Sequence, residues 1–91
     1  MPVKVRLAFP YRKVVGREEV ELDLHSPTRV KDIIRIISER YPGFKEYADE
    51  GANEEKIATH MVILLQDKVL RLEDLVDSDS TIQIMVPIAG G

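Results

Sequence analysis

Residues 3–24 read VKVRLAFPYRKVVGREEVELDL, and this stretch predicts a β-hairpin. Over residues 3–9, apolar side chains stand at every second position and alternate mostly with basic ones. Over residues 18–24, apolar side chains alternate with acidic ones. Since a period of two places the apolar side chains of a strand on one face, both segments are predicted strands. Pro10 and Gly16 bracket the segment between them, which we interpret as the loop of an antiparallel hairpin.

A single main helix is predicted after the hairpin. Four apolar side chains have the i, i+3, i+4, i+7 spacing that forms one helix face: Val30, Ile33, Ile34 and Ile37. Ser26-Pro27 or Thr28 is expected to begin this helix, and Pro42-Gly43 to end it. Residues 44–60 are rich in acidic side chains, and we interpret them as an exposed loop with room for a short helix around residues 45–49.

The last third of the chain returns to strand-like patterns. The apolar runs at residues 61–65 and 82–86 are predicted strands, and Pro87 ends the second because proline cannot donate to a sheet. Between them we expect a turn at residues 66–68 and a very short strand at 69–70, while Leu72 and Leu75 have the spacing of one helical turn. This order of elements predicts an α+β domain, in which the main helix packs on one face of a mixed sheet.

The composition limits what the protein can do. The chain has 91 residues, 44% of them hydrophobic and 32% charged, which fits one globular domain over residues 1–91. It contains no cysteine, so disulfides and thiolate chemistry are excluded. The apolar runs are too short to span a bilayer, and charged side chains stand near the N-terminus where a signal peptide needs an apolar core. We therefore expect a cytoplasmic protein that does not enter a membrane.

The side chains carry no recognisable catalytic or metal-binding motif. His25 and His60 lie far apart in the sequence, whereas a metal site needs three or four convergent ligands. No phosphate-binding loop, dinucleotide fingerprint or Ser/His/Asp arrangement is present. The formal net charge of −3 also argues against a nucleic-acid partner. We expect neither a bound metal nor a bound cofactor.

The first 17 residues contain five basic side chains and no acidic one. Lys4 and Arg6 are expected to form cross-strand ion pairs with the carboxylates of the second strand. Only Tyr11 is interleaved with Arg12 and Lys13, so the stacking platform of single-strand nucleic-acid binders is missing. An acidic protein surface is therefore the better predicted partner for Arg12 and Lys13.

The chain finishes with Ile88-Ala89-Gly90-Gly91, directly after the proline that ends the last predicted strand. Four extended residues reach at most about 14 Å, which is enough to enter a pocket of another protein. Glycine has no side chain to block a narrow channel, and it accepts backbone conformations that other residues avoid. The residues alone leave two interpretations open: a flexible tail whose carboxylate is activated, for instance as an acyl adenylate, and a frayed end without a role.

Two segments of the sequence resemble the ubiquitin-like sulfur carriers, and most closely the small subunits of molybdopterin synthase (MoaD). They are LAFPYRKVVG at residues 7–16 and VPIAGG at residues 86–91. The resemblance implies a ubiquitin-like β-grasp fold. It also implies that an activating enzyme uses ATP to adenylate the C-terminal Gly91, which then becomes a thiocarboxylate. Gly90, Ala89 and Ile88 would thread this tail into a partner.

The same resemblance implies two successive protein partners. The first is an adenylating enzyme of the MoeB type, and the second is the large synthase subunit (MoaE-like), which uses the sulfur to build the dithiolene of molybdopterin. The residues implied to face these partners are Ala8, Arg12, Val69, Met85 and Pro87. The residues alone leave open that Val69 and Met85 belong to the core.

Two other functions remain open at this stage. One is a protein modifier or a tRNA-thiolation carrier that acts through the same Gly91. The other is a plain β-grasp binding module whose tail has no role.

Overall fold

A five-stranded mixed sheet is the framework of this computed structural model, which describes residues 2–50 and 61–87. In chain order the elements are β1 (Val3–Leu7), α1 (Tyr11–Val15), β2 (Glu19–Leu22), β3 (Thr28–Arg29), α2 (Val30–Arg40), α3 (Pro42–Glu50), β4 (Val62–Leu65), β5 (Lys68–Val69), β6 (Leu75–Val76) and β7 (Thr81–Met85). The large sheet has the order β2-β1-β7-β4-β5, and β3 pairs with β6 in a separate ribbon.

The pairing of the strands confirms the predicted hairpin and the mixed sheet. β1 is antiparallel to β2, with Val5 opposite Val20. β1 is parallel to β7, with Leu7 opposite Ile84, and β4 is antiparallel to β7. Because β1 and β7 run in the same direction, both strands end at the same edge of the sheet.

Helix α2 packs on one face of this sheet, as its apolar spacing predicts. Its buried side chains share one core with those of the central strands: Val30, Ile33, Ile34 and Ile37 with Val5, Leu7, Ile82 and Ile84. Burying one such aliphatic side chain contributes about 1.5–3 kcal/mol. The other face of the sheet is left open in the described part of the chain, because positions such as Lys4 and Gln83 alternate outward.

The segment between the hairpin strands is a helix, α1, where a loop is predicted. Tyr11 and Val15 stand four residues apart and are both buried, so this short helix has an apolar face of its own. Gly16 ends it with a φ of 81°, and the Gly16 N–H donates to the Arg12 carbonyl at 2.8 Å. The spacing of Tyr11 and Val15 was the sequence signal for α1, but the flanking proline and glycine obscured it.

Helix α3 begins at Pro42, where the sequence predicts only the end of the main helix. α2 stops at Arg40 and the extended backbone of Tyr41 separates the two helices. Pro42 then stands at the first position of α3, where a missing N–H costs nothing. Phe44 is fully buried, and its ring packs edge-on against Tyr11 with centroids 5.8 Å apart. The predicted short helix is therefore longer than expected, and residues 51–60 of the predicted loop lie outside the described residues.

The start of α2 is held by the segment before β6, not by a capping side chain. Arg29 is the cap residue, and no side chain caps the helix. The N–H groups of Val30 and Lys31 instead donate to the carbonyls of Asp74 and Leu72 at 2.9 and 3.0 Å. Leu75, expected in a helical turn, lies in β6 opposite Arg29. The α2 start is thus stabilised by contacts more than 40 residues away, which local sequence cannot reveal.

Glu73 makes charged contacts with residues at the start of α2. Lys31 Nζ donates to Glu73 Oε1 at 2.8 Å, and Arg29 Nη1 lies 3.7 Å from Glu73 Oε2. The hydrogen bond from Lys31, together with both positive charges, lowers the pKa of Glu73 from its ordinary value of 4.5. A carboxyl group with a lowered pKa stabilises the fold above its unfolded pKa, and this contribution disappears as the pH falls through the folded pKa.

We expect Glu73→Gln to flatten the acid dependence of stability. The wild-type protein loses the stabilisation from Glu73 as the pH falls below 4.5, and the glutamine variant has no such contribution to lose. Melting temperatures measured across this range test the effect. Lys31→Met removes the largest cause of the shift and should flatten the curve in the same way, so steeper acid loss in either variant would contradict the assignment.

Candidate functional site

The candidate site lies at the edge where β1 and β7 end. The Ala8 N–H donates to the Ile84 carbonyl at 3.0 Å, so the two strands stay paired to this edge. Pro87, half-buried, is the last residue that the structure describes here. The predicted tail residues Ile88, Ala89, Gly90 and Gly91 lie outside the described residues. The predicted tail therefore begins close to the end of β7, next to the end of its parallel neighbour β1.

An apolar surface covers the open face of the sheet next to this edge. Met85 of β7 stands opposite Val62 of β4, and Leu64 stands opposite Val69 of β5. Ala8 continues the outward positions of β1 beside Met85. We call these five residues the open-face patch: Ala8, Val62, Leu64, Val69 and Met85. Val69 is 60% exposed and the other four are partly buried, so none of them belongs to the buried core.

The structure thus places three predicted partner-facing residues, Ala8, Val69 and Met85, on one surface. Their contact with a partner stays a prediction. Sequence reasoning missed Val62 and Leu64, because the run MVILL has no alternation that distinguishes its two faces. Their outward placement follows from the pairing of β4 with β7, which leaves Ile63 inside.

A shallow cleft adjoins the open-face patch on the β1 side. It is lined by residues of β1, α1 and β7, by Ala8 directly after β1 and by Glu18 directly before β2. The lining residues are Arg6, Leu7, Ala8, Arg12, Glu18 and Gln83. Arg12 Nη1 lies 3.8 Å from Glu18 Oε1, with both side chains at least half exposed. An exposed ion pair of this kind contributes at most about 1 kcal/mol, so Arg12 can exchange Glu18 for another carboxylate at little cost. The predicted basic contact, Arg12, therefore lies next to the predicted apolar contacts.

The hairpin register places the predicted charge pairs opposite each other. Lys4 faces Glu21, and Arg6 faces Glu19. No ion pair joins these four side chains within 4.0 Å in the described part of the chain, so the expected cross-strand ion pairs are not formed. Arg6 is consequently available to the cleft.

Phe9 is exposed, although the alternation over residues 3–9 predicts that it is buried. β1 ends at Leu7, and the Phe9 side chain is 63% exposed at the edge where the predicted tail begins. Val86, which directly follows the neighbouring strand β7, is 39% exposed. The alternating apolar pattern in the sequence therefore continues to Phe9, whereas the last buried side chain of β1 in the structure is Leu7.

The described residues offer contact surface and positive charge at this edge. Within residues 2–50 and 61–87, no cluster of three or more His, Cys, Asp or Glu side chains could hold a metal ion. His25 is exposed, 3.8 Å from an Asp23 carboxylate oxygen, and His60 lies outside the described ranges. None of the helices described is both long and apolar enough to span a bilayer.

Comparison with known proteins places this site in context. A family model described as the ThiS family matches residues 5–91, which include the last three residues of β1, all of β7 and the Gly-Gly pair. A search of curated protein sequences found no significant match.

Several solved structures share the fold. A Pyrococcus furiosus protein assigned as molybdopterin converting factor, subunit 1, is 25% identical, with 97% of this chain and 99% of that chain covered and a TM-score of 0.76. SAMP1 of Haloferax volcanii is 15% identical over 100% of both chains, with a TM-score of 0.76. The HVO 2177 protein of the same organism is 21% identical over 100% of this chain and 87% of that one, also with a TM-score of 0.76. The fold is accordingly the predicted ubiquitin-like β-grasp, and its described residues form two helices, α1 and α3, in addition to the main one. With the family model covering nearly its whole length, the chain belongs to the ThiS family of ubiquitin-like sulfur carriers.

Proposed function

We propose that this protein is a cytoplasmic sulfur carrier that acts as the small subunit of molybdopterin synthase through a thiocarboxylate at Gly91. The family match that runs to residue 91 is the observation that carries the proposal. The P. furiosus protein assigned as molybdopterin converting factor, subunit 1, supports the choice of pathway, since its likeness extends over 97% of this chain. The chain itself supplies the carrier, and the catalytic groups belong to its partners.

The chemistry takes place at the main chain. An oxygen of the Gly91 carboxylate attacks the α-phosphate of ATP bound to the activating enzyme, and pyrophosphate leaves. A hydrosulfide then attacks the acyl carbon, so that a C–S bond forms while the bond to AMP breaks. Transfer of this sulfur to the pterin precursor and hydrolysis by water restore the carboxylate. Because the reacting atoms belong to the backbone, no cysteine of the carrier is needed.

The open-face patch is the proposed docking surface for both partners in turn. Each partner must reach Gly91, and the four residues that follow Pro87 can span at most about 14 Å. A partner that close to the edge covers the neighbouring patch, whose five side chains are apolar and at least partly exposed. Met85 suits two different partners because its unbranched thioether adapts to different surfaces. Because both partners act on the same tail, they bind this surface one after the other.

A direct test loads the full chain in vitro. The protein is incubated with its adenylating enzyme, ATP and sulfide, and the C-terminal peptide is analysed by mass spectrometry. We expect the mass change of one oxygen replaced by sulfur, with one AMP released per chain. Adding the large synthase subunit and the pterin precursor should then yield molybdopterin and return the carboxylate. A carboxylate that never changes under these conditions would contradict the proposal.

A second candidate function shares the first chemical step. SAMP1, called a small archaeal modifier protein, has the same fold as this chain. As a modifier, Gly91 would form an isopeptide bond with a lysine of a target protein, and as a tRNA-thiolation carrier its sulfur would appear in tRNA. Gly91 linked to lysine in cell extracts, without a complex with the large synthase subunit, would favour the modifier function.

Arg12→Glu should weaken binding of the adenylating enzyme about tenfold. The substitution reverses the charge of the cleft beside the open-face patch, and about 1.4 kcal/mol of lost electrostatic attraction corresponds to that factor. The fold should not change, since the Arg12–Glu18 ion pair is exposed. Arg35→Glu on α2 is the matched control, because the Arg35 side chain is also more than half exposed but α2 packs on the face of the sheet opposite to the patch. Titration calorimetry distinguishes the variants, and equal weakening by both would refute a specific role for Arg12.

A further inference from the structure

Phe9 stands out among the described side chains as a large aromatic group left in solvent. Its side chain is 63% exposed, whereas Tyr11 and Phe44 nearby are fully buried. Exposed aromatic rings at fixed positions are frequent centres of protein–protein interfaces, because they bury much area with little loss of conformational freedom. Phe9 can serve in this way only if the backbone holds it at a fixed position.

The backbone around Phe9 is held on both sides. Before it, the Ala8 N–H donates to the Ile84 carbonyl of β7 at 3.0 Å. After it, the Arg12 N–H donates to the Ala8 carbonyl at 3.0 Å and the Lys13 N–H donates to the Pro10 carbonyl at 3.1 Å. Phe9 therefore joins a paired strand to a hydrogen-bonded helix. A partner that covers the ring has little backbone entropy to overcome, which favours binding.

Phe9 and the start of the tail lie just beyond the ends of two adjacent strands, β1 and β7. Leu7 is opposite Ile84 in the parallel pair, so Phe9 and Val86 each stand two residues beyond the same point. Paired strands are about 4.8 Å apart. Phe9 lies in the turn between β1 and α1, and Val86 directly follows β7. This edge thus carries exposed apolar side chains in addition to the open-face patch.

We infer that Phe9 is a second contact for the enzyme that adenylates Gly91, in addition to the open-face patch. The active site must come within about 14 Å of Pro87 to touch Gly91, and Phe9 lies just beyond the end of the adjacent strand β1. An enzyme that encloses the tail in a channel therefore comes close to Phe9. The inference rests on adenylation of Gly91, which the sulfur-carrier and modifier functions share, and not on the molybdopterin role.

Phe9→Ala tests this inference through the split between KM and kcat. We expect the concentration of carrier that gives half-maximal adenylation to rise about 10- to 100-fold, the factor that follows from losing one buried aromatic contact. The rate at saturation should stay near that of the wild-type protein, because Phe9 does not touch the reacting atoms. Phe9→Leu, which keeps an apolar side chain, should restore most of the affinity. Pyrophosphate exchange measures both constants.

Leu75→Ala is the matched control. Leu75 is 56% exposed, similar to Phe9, but it lies on β6 in the separate two-stranded ribbon. We expect this variant to be adenylated like the wild-type protein. Unchanged KM in Phe9→Ala would overturn the inference, as would equal losses in both variants, or a lower melting temperature that explains the loss by unfolding. A wild-type dimer that Phe9→Ala dissociates without changing adenylation would also overturn it and assign the ring to self-association.

Binding of the adenylating enzyme without ATP separates this inference from the proposed function. If the wild-type protein binds and Phe9→Ala binds 10- to 100-fold more weakly, Phe9 is a contact even when no adenylate forms. Absence of the adenylate would in that case refute the proposed function alone. If neither protein binds the enzyme, both the inference and the proposed function fail.

Discussion

Removal of Gly91 is expected to reduce adenylation at least about 100-fold without changing the melting temperature. The shortened chain ends about 3.5 Å earlier, and a displacement of about 1 Å at a reacting centre can already cost a factor of about 100. Removal of both Gly90 and Gly91 should abolish the reaction. The fold should remain, because the buried core lies between Val3 and Ile84. Pyrophosphate exchange and thermal unfolding measure the two effects.

Ile88→Val is the control for this experiment, since it changes the tail but keeps the number of main-chain atoms. We expect it to be adenylated at close to the wild-type rate. The binding-module hypothesis predicts the opposite of our expectation for the truncated chains: it requires that partner binding and cellular function survive removal of the two glycines. Full function of the truncated chain in the cell would refute a reactive Gly91.

Phe44→Ala is expected to destabilise the domain by about 3–5 kcal/mol. The ring is fully buried and packs against Tyr11, which in turn packs edge-on against Tyr47 with centroids 5.3 Å apart. Replacing a buried phenylalanine by alanine removes its transfer free energy and leaves a cavity that neighbouring side chains fill only in part. Because the free energy of unfolding of a domain is about 5–15 kcal/mol, this loss is a large share of the total.

Urea unfolding followed by circular dichroism measures the change. Glu46→Ala, an exposed position on the same helix, is the control and should change the free energy of unfolding by less than about 0.5 kcal/mol. A loss below 1 kcal/mol in Phe44→Ala would mean that the three aromatic rings do not form the contact between α1 and α3. That result would also weaken the argument for a fixed Phe9, since α1 follows Phe9 directly.

The candidate site was only partly predictable. The proposed reactive end was inferred from the Gly-Gly pair and the resemblance around it, because that chemistry needs a bare main chain and no particular fold. Ala8, Val69 and Met85 were named by resemblance, and the structure places them together. Phe9 could not be found, because its exposure depends on where the core stops covering β1. Neither could Val62 and Leu64, whose outward placement depends on the strand paired beside them.

Local patterns in the sequence located β1, β2 and α2 by periodicity and β7 by its apolar run, since side chains two, three or four positions apart share a face whatever the rest of the chain does. Tertiary structure decided the rest. Residues 77 positions apart pair as β1 and β7, the aromatic rings of α1 and α3 meet across 33 residues, and the start of α2 donates its hydrogen bonds to the carbonyls of Leu72 and Asp74. These contacts depend on burial of apolar area by the whole chain, which no local pattern encodes. They also bring Phe9, the open-face patch and the start of the tail to one edge of the sheet.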